Sequence, residues 1–326
     1  MSDGNLLEVN KLITSFDTER GILRAVDQVS FSIPAGKTVG IVGESGCGKS
    51  VTAMSIVRLL PQPSGKVLGG EIRFKGENLL HVSHQRMRQI RGCEIGVIFQ
   101  EPMAALNPVH RIGRQVAEVF QIHKKMSKKD AWDAATEMLT LLRIPAPEKR
   151  MMDYPHHLSG GMRQRVVIAL ALACRPALVI ADEPTTALDV TVQAQILDLL
   201  KNLQSEIGMS VMLITHDLGV IAETCDEVVV MYAGRVVESA PVNELFENPL
   251  HAYTQALLRS IPTLDTPPKS VLHTIPGLVA GLGEHAHGCR FCQRMGRKSS
   301  MTRERPKFKE VQPGHWLEIC KECSNL

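Results

Sequence analysis

A glycine-rich segment at residues 43–50 carries the most specific chemical pattern in the chain. It reads Gly43-x4-Gly48-Lys49-Ser50, follows the apolar run Thr38–Val42 and precedes a stretch with helical spacing. In this context glycines let backbone N–H groups converge on a phosphate, and the helix N-terminus adds a favourable dipole. Lys49 can neutralise the β and γ oxygens of a nucleotide, and the Ser50 hydroxyl can bind Mg²⁺. A chance glycine turn is the alternative, which the strand, loop and helix order disfavours. The predicted nucleotide-binding residues are Gly43, Glu44, Ser45, Gly46, Cys47, Gly48, Lys49, Ser50 and Val51.

An acidic pair after another apolar strand predicts the catalytic part of the site. The segment LVIADEP places Asp182 and Glu183 at the C-terminal end of that strand, where parallel sheets bind their ligands. Asp182 is expected to hold Mg²⁺ through water, and Glu183 to orient or deprotonate the attacking water. Alone, such a pair is often only a helix N-cap. Together with a phosphate loop it indicates hydrolysis of a nucleoside triphosphate.

The elements that position these residues alternate between strands and helices. Two runs without alternation, 177–181 and 210–214, predict strands covered on both faces, and helices are predicted at 162–174 and 191–207. This order is typical of a mostly parallel α/β sheet. Long periodic stretches in residues 110–145 predict a helical subdomain.

Four further motifs precede or follow the acidic pair Asp182 and Glu183 in the sequence. They are Gln100 in FQEP, LSGGMRQR at residues 158–165, the loop Ala187-Leu188-Asp189, and His216 after VMLIT. Together with the phosphate loop, this set resembles the ATP-binding-cassette (ABC) ATPases over about residues 5–260. The resemblance implies an α/β nucleotide-binding domain, 1–260, with a RecA-like parallel-sheet core, an antiparallel β subdomain and an α-helical subdomain at about 103–165. A small cysteine-containing C-terminal extension, 261–326, begins with a proline-marked linker that includes Pro267 and Pro268.

Longer segments of the sequence extend the resemblance from the family to one of its subfamilies. AVDQVSF, FQEPMAALNP, YPHHLSGGMRQR, LITHDLGVIAE and HAYTQALLRSIP resemble the oligopeptide/dipeptide importer subfamily, which also includes importers of nickel and glutathione. The resemblance implies a bacterial ATPase bound peripherally at the cytoplasmic face of the inner membrane. Its implied partners are two integral membrane permease subunits and, indirectly, an external substrate-binding protein. Peptide is the expected substrate, with nickel or glutathione as alternatives.

In this family two ATPase subunits dimerise head to tail, as a homodimer or a heterodimer. The resemblance implies that Ser159, Gly160 and Gly161 contact the γ-phosphate bound by the partner subunit, and that Asp189 contacts the opposite subunit. An ordinary helix cap is the plainer interpretation of Ser159, and both roles can hold at once.

Three further roles come from the resemblance alone. Gln100 is expected to sense Mg²⁺ and the attacking water, and His216 to hydrogen-bond the γ-phosphate and position Glu183. Phe16 is the candidate for stacking on adenine, with a place in the core as the alternative.

Four of the eight cysteines form two CxxC pairs near the C-terminus, Cys289/Cys292 and Cys320/Cys323. Residues 285–326 also hold nine Lys/Arg against four Asp/Glu. The importer subfamily often carries four cysteines here that are reported to bind an iron-sulfur cluster, but this chain has Met295 where the second cysteine is expected. Two pairs can form a four-thiolate site for an iron-sulfur cluster or for zinc. A degenerate tail with free thiols is the alternative.

Length, charge and hydropathy bound the remaining classes. The 326 residues carry a net charge of +3, which gives no general attraction to nucleic acid, and no nucleic-acid partner is expected. The longest apolar run, Val166 to Cys174, is nine residues, well short of the roughly 20 that span a bilayer. The N-terminus lacks a signal-peptide pattern, so residence in the cytosol is the expectation. A soluble cassette protein acting on nucleic acid or ribosomes, and a regulatory subunit without turnover, remain as alternatives.

Overall fold

A computed structural model describes residues 4–19, 21–186, 188–262, 271, 273–279, 288–296 and 304–324. Ala187 of the predicted loop, and Pro267 and Pro268 of the predicted linker, lie outside the described residues. The strands are β1 (Asn5–Thr18), β2 (Gly21–Pro34), β3 (Thr38–Val42), β4 (Gly65–Phe74), β5 (Glu77–Asn78), β6 (Ile95–Ile98), β7 (Leu178–Asp182), β8 (Ser210–Ile214), β9 (Glu227–Tyr232), β10 (Arg235–Pro241), β11 (Lys307–Gln312) and β12 (His315–Ile319). The helices are α1 (Lys49–Ile56), α2 (His84–Gln89), α3 (Pro102–Ala105), α4 (Ile112–Lys124), α5 (Lys128–Leu141), α6 (Pro147–Arg150), α7 (Gly160–Leu172), α8 (Val190–Ile207), α9 (Leu218–Thr224), α10 (Val242–Glu247), α11 (Ala252–Arg259) and α12 (Arg290–Arg294).

The contacts divide the chain into two compact units. The first contains the described residues of 1–6, 33–37 and 81–214. Here β6, β7 and β8 form a parallel run in which β7 is the middle strand. All five residues of β7 and all five of β8 are buried, because helices of the α/β fold cover such strands on both faces. The helices α4, α5 and α7 pack on one another, which confirms helical structure where the periodic stretch predicts it.

The second unit contains the described residues of 7–32, 38–80 and 215–326. One of its sheets has the order β2-β1-β4-β5, with antiparallel pairing of β1 with β4 and of β4 with β5. In the other sheet the strands follow the order β11-β12-β10-β9-β3, in which only the β9 and β3 pair is parallel. The tail hairpin of β11 and β12 therefore extends the sheet that carries β3, the strand before the phosphate loop. The sequence does not predict this hairpin.

The predicted α/β fold is confirmed. Strands β3 and β8 occupy the residues that their apolar runs predict, and β7 and α8 differ from the prediction by one residue at most. The boundary at residue 260 between two domains stays a prediction. Among the described helices, none is both long enough and apolar enough to cross a bilayer.

Candidate nucleotide site and cysteine cluster

Two glycines of the phosphate loop occupy positions that no other residue type can take. The φ of Gly43 is +148° and that of Gly48 is +102°, in the region that favours glycine. A Cβ atom would lie 2.1 Å from the carbonyl oxygen of Met231 at Gly43, and 2.7 Å from that of Ala25 at Gly48. The loop therefore passes against the backbone of β9 and β2, and only glycine permits this approach.

Lys49 is the first residue of α1 and is buried, although it carries a charge. Its Nζ donates to the carbonyl oxygens of Gly43 at 2.7 Å and Glu44 at 3.1 Å. The ammonium group is thus held over the loop, where the dipole of α1 also favours an anion. Ser45 and Ser50 are exposed, whereas burial raises the pKa of the Cys47 thiol. The glycine-lined backbone and the fixed ammonium group fit a nucleotide's phosphates.

Gln100 and Glu183, each predicted as a site residue, are joined by a hydrogen bond in the first unit. Asp182 is the buried last residue of β7, and Glu183 follows it with a φ of +48°. The Glu183 N–H donates to the carbonyl of Ile214 at 2.9 Å. Its Oε2 accepts from Gln100 Nε2 at 3.0 Å and from Thr186 Oγ1 at 2.8 Å. A strained backbone and two hydrogen bonds fix the direction of the carboxylate, as a positioned base requires.

Thr186 was not identified from the sequence as part of this arrangement. The sequence feature that could have indicated it is the run Glu183-Pro184-Thr185-Thr186. A hydroxyl three residues after a carboxylate can donate a local hydrogen bond to that carboxylate.

The signature segment forms the start of α7. Ser159 is its exposed N-cap, and the hydroxyl accepts from a backbone N–H of the first turn at 3.4 Å. A Cβ atom at Gly161 would lie 2.7 Å from Val192 Cγ1, so α7 approaches α8 closely here. Asp189, also exposed, caps α8 by accepting from the Val192 N–H at 2.9 Å. The helix-cap interpretation therefore holds for Ser159, and the contact with a partner subunit stays a prediction for both Ser159 and Asp189.

His216 and Phe16 both lie in the second unit. His216 is exposed and follows β8, immediately before Asp217, the N-cap of α9. Phe16 is half-buried on β1, opposite Gly65 of β4, and its ring would lie 3.0 Å from a Cβ atom there. The ring therefore packs on the sheet, and its stacking on adenine stays a prediction.

The two CxxC pairs come together. Cys289, Cys292, Cys320 and Cys323 are all buried, and their Sγ atoms lie within 4.8 Å of one another. Cys292 Sγ is 2.9 Å from that of Cys323 and 3.5 Å from that of Cys320, and Cys289 Sγ is 3.8 Å from that of Cys323. Cys289 also caps α12, since its sulfur accepts from the Cys292 N–H at 3.5 Å. The residues predicted as metal ligands are thus gathered into one buried site.

A buried ionic network lies next to this cluster and was missed from the sequence. Asp27 Oδ2 accepts from Arg290 at 2.7 Å and from Arg235 at 2.9 Å, and its Oδ1 from Arg305 at 3.1 Å. Burial alone would raise the pKa of Asp27, but these three guanidinium groups lower it. The partners lie 208 to 278 residues apart in sequence, so no local pattern could indicate them.

Comparisons with known proteins show which families the chain is similar to. The family described as ABC transporter matches residues 26–186, and the one described as oligopeptide/dipeptide transporter, C-terminal region, matches residues 237–301. The chain is 54% identical to a probable peptide ABC transporter ATP-binding protein of Sinorhizobium fredii, over 95% of this chain and 93% of the relative. It is 50% identical to the oligopeptide transport ATP-binding protein OppD of Bacillus subtilis, over 96% of this chain and 88% of the relative.

Solved structures are similar over most of the chain. The dimeric structure of MJ0796, a bacterial ABC transporter cassette, has a TM-score of 0.65 at 29% identity and covers 72% of this chain and 98% of its own. A post-hydrolysis state of the same cassette, bound to ADP and Pi, also has a TM-score of 0.65, at 28% identity and with the same coverage.

Proposed function

This chain belongs to the family of ABC transporter ATP-binding proteins, and we propose that it is the ATP-hydrolysing subunit of a bacterial importer of oligopeptides or dipeptides. The observation that carries hydrolysis is the Glu183 carboxylate, held by Gln100 and Thr186 at the end of a buried parallel strand. The peptide class is supported by similarity to peptide-transport ATP-binding proteins that are 50% and 54% identical, and by the match of the C-terminal region to the oligopeptide/dipeptide transporter family. Import of nickel or glutathione is the alternative.

Phosphate binding, Mg²⁺ binding and activation of water are each assigned to particular residues of this chain. Lys49 and the loop N–H groups bind the phosphates, with Gly43 and Gly48 allowing the backbone to approach. Ser50 and Asp182 are the proposed Mg²⁺ ligands, directly and through water, and Mg²⁺ when bound neutralises charge that develops on the phosphoryl oxygens. Glu183 orients or deprotonates the attacking water.

The remaining residues are assigned to sensing and to the partner subunit. Gln100 senses Mg²⁺ and the attacking water, and His216 hydrogen-bonds the γ-phosphate and positions Glu183. Ser159, Gly160 and Gly161 bind the γ-phosphate held by a second ATPase subunit, identical or related. Their support is the exposed start of α7, where Ser159 and Gly160 lie at the N-terminal end of the helix. Two membrane permease subunits and an external binding protein complete the proposed importer, with this chain peripheral at the cytoplasmic face of the inner membrane.

Uptake in cells separates the substrate classes. The chromosomal gene is replaced by one encoding Glu183→Gln, and uptake of a labelled dipeptide, a labelled oligopeptide, ⁶³Ni²⁺ and labelled glutathione is compared with the parent strain. We expect peptide uptake alone to be lost, because hydrolysis stops while the protein still assembles. Loss of nickel or glutathione uptake with normal peptide uptake would reassign the substrate. Unchanged uptake of all four would contradict a transport role.

We further propose that the four cysteines bind a single zinc ion. Four thiolates around a tetrahedral ion with bonds of about 2.3 Å lie about 3.8 Å apart. Two of the observed Sγ separations, 3.5 and 3.8 Å, are close to this spacing, the third, 2.9 Å, is shorter, and all four Sγ atoms lie within 4.8 Å of one another. An iron-sulfur cluster needs more room, because its inorganic core lies between the thiolates. Bound at this site, the ion would join α12 to the chain end at residues 320–323.

Metal analysis of anaerobically purified protein tests this assignment. One zinc per chain and a colourless sample are expected. A broad visible absorption band with acid-labile sulfide would assign an iron-sulfur cluster instead, and a metal-free sample with four titratable thiols in this segment would establish the degenerate tail.

A further inference from the structure

We propose that Arg294 is a positioning residue for ATP, which holds the phosphate loop from the C-terminal tail through Glu44. Arg294 Nη1 donates to Glu44 Oε2 at 2.6 Å, and Nη2 donates to Oε1 at 3.2 Å. This bidentate contact joins residues 250 positions apart in the sequence, and the Arg294 side chain is only 3% exposed. Paired guanidinium and carboxylate groups in this geometry form strong, directional hydrogen bonds.

The tail side of this contact is fixed independently of Glu44. Arg294 Nε donates to the carbonyl of Pro276 at 2.8 Å, and Nη2 donates to those of Ile275 at 3.1 Å and Gly277 at 3.0 Å. The guanidinium group also lies over the ring of Tyr232, 6.0 Å from its centroid. Burial would lower the pKa of Arg294, but its hydrogen bonds raise it. The guanidinium group is therefore charged over the whole physiological range of pH. The donor therefore approaches the loop in one orientation.

On the loop side, every polar group of Glu44 has a partner. Besides the carboxylate, its N–H donates to Tyr253 Oη at 3.0 Å, and its carbonyl accepts from Lys49 Nζ at 3.1 Å. Lys49 is the residue that contacts the nucleotide's phosphates. A shift of Glu44 therefore moves a hydrogen-bond partner of the phosphate-binding ammonium group.

The short helix α12 connects this contact to the cysteine cluster. Cys289 caps the helix and Cys292 lies two residues before Arg294, so the cluster fixes the segment from which the arginine projects. Its first residue, Arg290, donates to the carbonyl of Ala233, next to Gly234, whose N–H donates to the Cys47 carbonyl of the loop at 2.8 Å. The helix therefore reaches the phosphate loop from both of its ends. This inference rests on ATP binding and not on the identity of the imported substrate.

A mutant cycle on the purified chain tests the inference. We compare Arg294→Gln, Glu44→Gln and the double variant by equilibrium binding of ATP without Mg²⁺, and by the KM for ATP and kcat with Mg²⁺. Each single variant should weaken ATP binding about tenfold and raise KM more than it lowers kcat, because the contact positions the loop before chemistry. The double variant should bind no more weakly than either single one, since both remove the same contact.

Arg305→Gln is the matched control. Arg305 also joins the tail to the body through an aspartate, but it contacts Asp27 and not the loop. Its loss should leave ATP affinity unchanged at a comparable loss of stability. Equal loss of affinity in Arg305→Gln and Arg294→Gln, or fully additive effects of Arg294→Gln and Glu44→Gln, would overturn the inference.

Hydrogen exchange of the unaltered protein keeps the inference testable if a variant does not fold. Coupling between two sites is reciprocal, so ATP should slow exchange of the amides in residues 288–296. Unchanged exchange there, while the phosphate loop becomes protected, would contradict the inference and leave ATPase function intact. Absence of ATP binding altogether would instead contradict the nucleotide site itself.

Discussion

At the scale of single residues, two neighbouring donors stabilise the direction of the Glu183 carboxylate. Thr186 Oγ1 and Gln100 Nε2 both donate to the same oxygen, Oε2. The backbone of Glu183 already has a positive φ, so the side chain starts from an unusual direction that these donors must stabilise. Chemistry at this residue should therefore respond to changes that never touch ATP.

Thr186→Val should lower kcat for ATP hydrolysis about tenfold with little change in the KM for ATP, because it removes one hydrogen bond from the base. Steady-state ATPase assays over a range of ATP concentrations measure both parameters. Thr186→Ser, which keeps the hydroxyl, is the matched control and should retain most of the activity. An unchanged kcat in Thr186→Val would show that this hydrogen bond does not contribute to hydrolysis.

At the scale of elements, Ser159 can act as a helix cap and as a contact for the γ-phosphate held by another subunit. Ser127 offers a comparison, because it caps α5 in the same way and accepts from the Asp130 N–H at 3.2 Å. Replacing either serine by alanine should cost about 1 kcal/mol of unfolding free energy, the usual value for a lost cap. Urea unfolding of the two variants measures this cost.

Only Ser159→Ala should also lower ATPase activity at protein concentrations that allow dimers. Ser127→Ala should hydrolyse ATP as the unaltered protein does. If both variants lose stability and neither loses activity, Ser159 is a cap alone.

The ionic network around Asp27 joins β2 to β10, α12 and Arg305. Asp27→Asn should cost about 3–5 kcal/mol at pH 7, because it removes the charged carboxylate that the buried guanidinium groups of Arg235 and Arg290 contact. Asp17→Asn is the control: its partner Lys66 is about half exposed, and a surface pair contributes less than about 1 kcal/mol. Urea unfolding of the three proteins provides the comparison.

The same network predicts a dependence on pH. The guanidinium groups lower the folded-state pKa of Asp27 below the ordinary value of 3.8, so its contribution is complete above that pH and is lost as pH falls through the lowered pKa. The difference in unfolding free energy between the unaltered protein and Asp27→Asn should shrink as pH falls below 4, because the carboxylate of Asp27 then takes up a proton and loses its charge. A difference that is constant down to pH 2 would contradict the ionic role.

Elements with a strong local signal could be predicted, and those made by distant contacts could not. The apolar runs of β3 and β8 are only five residues long, a length that favours a strand covered on both faces over a buried helix. Strand β11, in contrast, reads KFKEVQ and is largely exposed, so its pairing with β12 carries no hydrophobic alternation to detect. The contact of Arg294 with Glu44 depends on that distant tail, and a charged pair 250 residues apart leaves no pattern in the sequence.

At the scale of the whole molecule, the signature residues at the start of α7 are proposed to bind a nucleotide that another subunit holds, and not the one bound by their own chain. Ser159 and Gly160 are exposed. Their proposed role is to contact the γ-phosphate of ATP bound by another subunit. ATP should therefore join two chains, and hydrolysis should release them. A variant that binds ATP without hydrolysing it should accumulate as a dimer.

Glu183→Gln with ATP should sediment as a dimer of about twice 35.9 kDa, whereas the same variant with ADP should sediment as a monomer. The amide keeps the shape of the carboxylate but cannot accept a proton, so the closed state persists. Adding Lys49→Ala should abolish the dimer, since the phosphates that join the subunits are no longer held. If the Glu183→Gln protein binds ATP and stays monomeric at every concentration, this chain does not pair with itself. Mixing it with a related ATPase subunit then tests the heterodimer, where ATP-dependent association should appear only in the mixture.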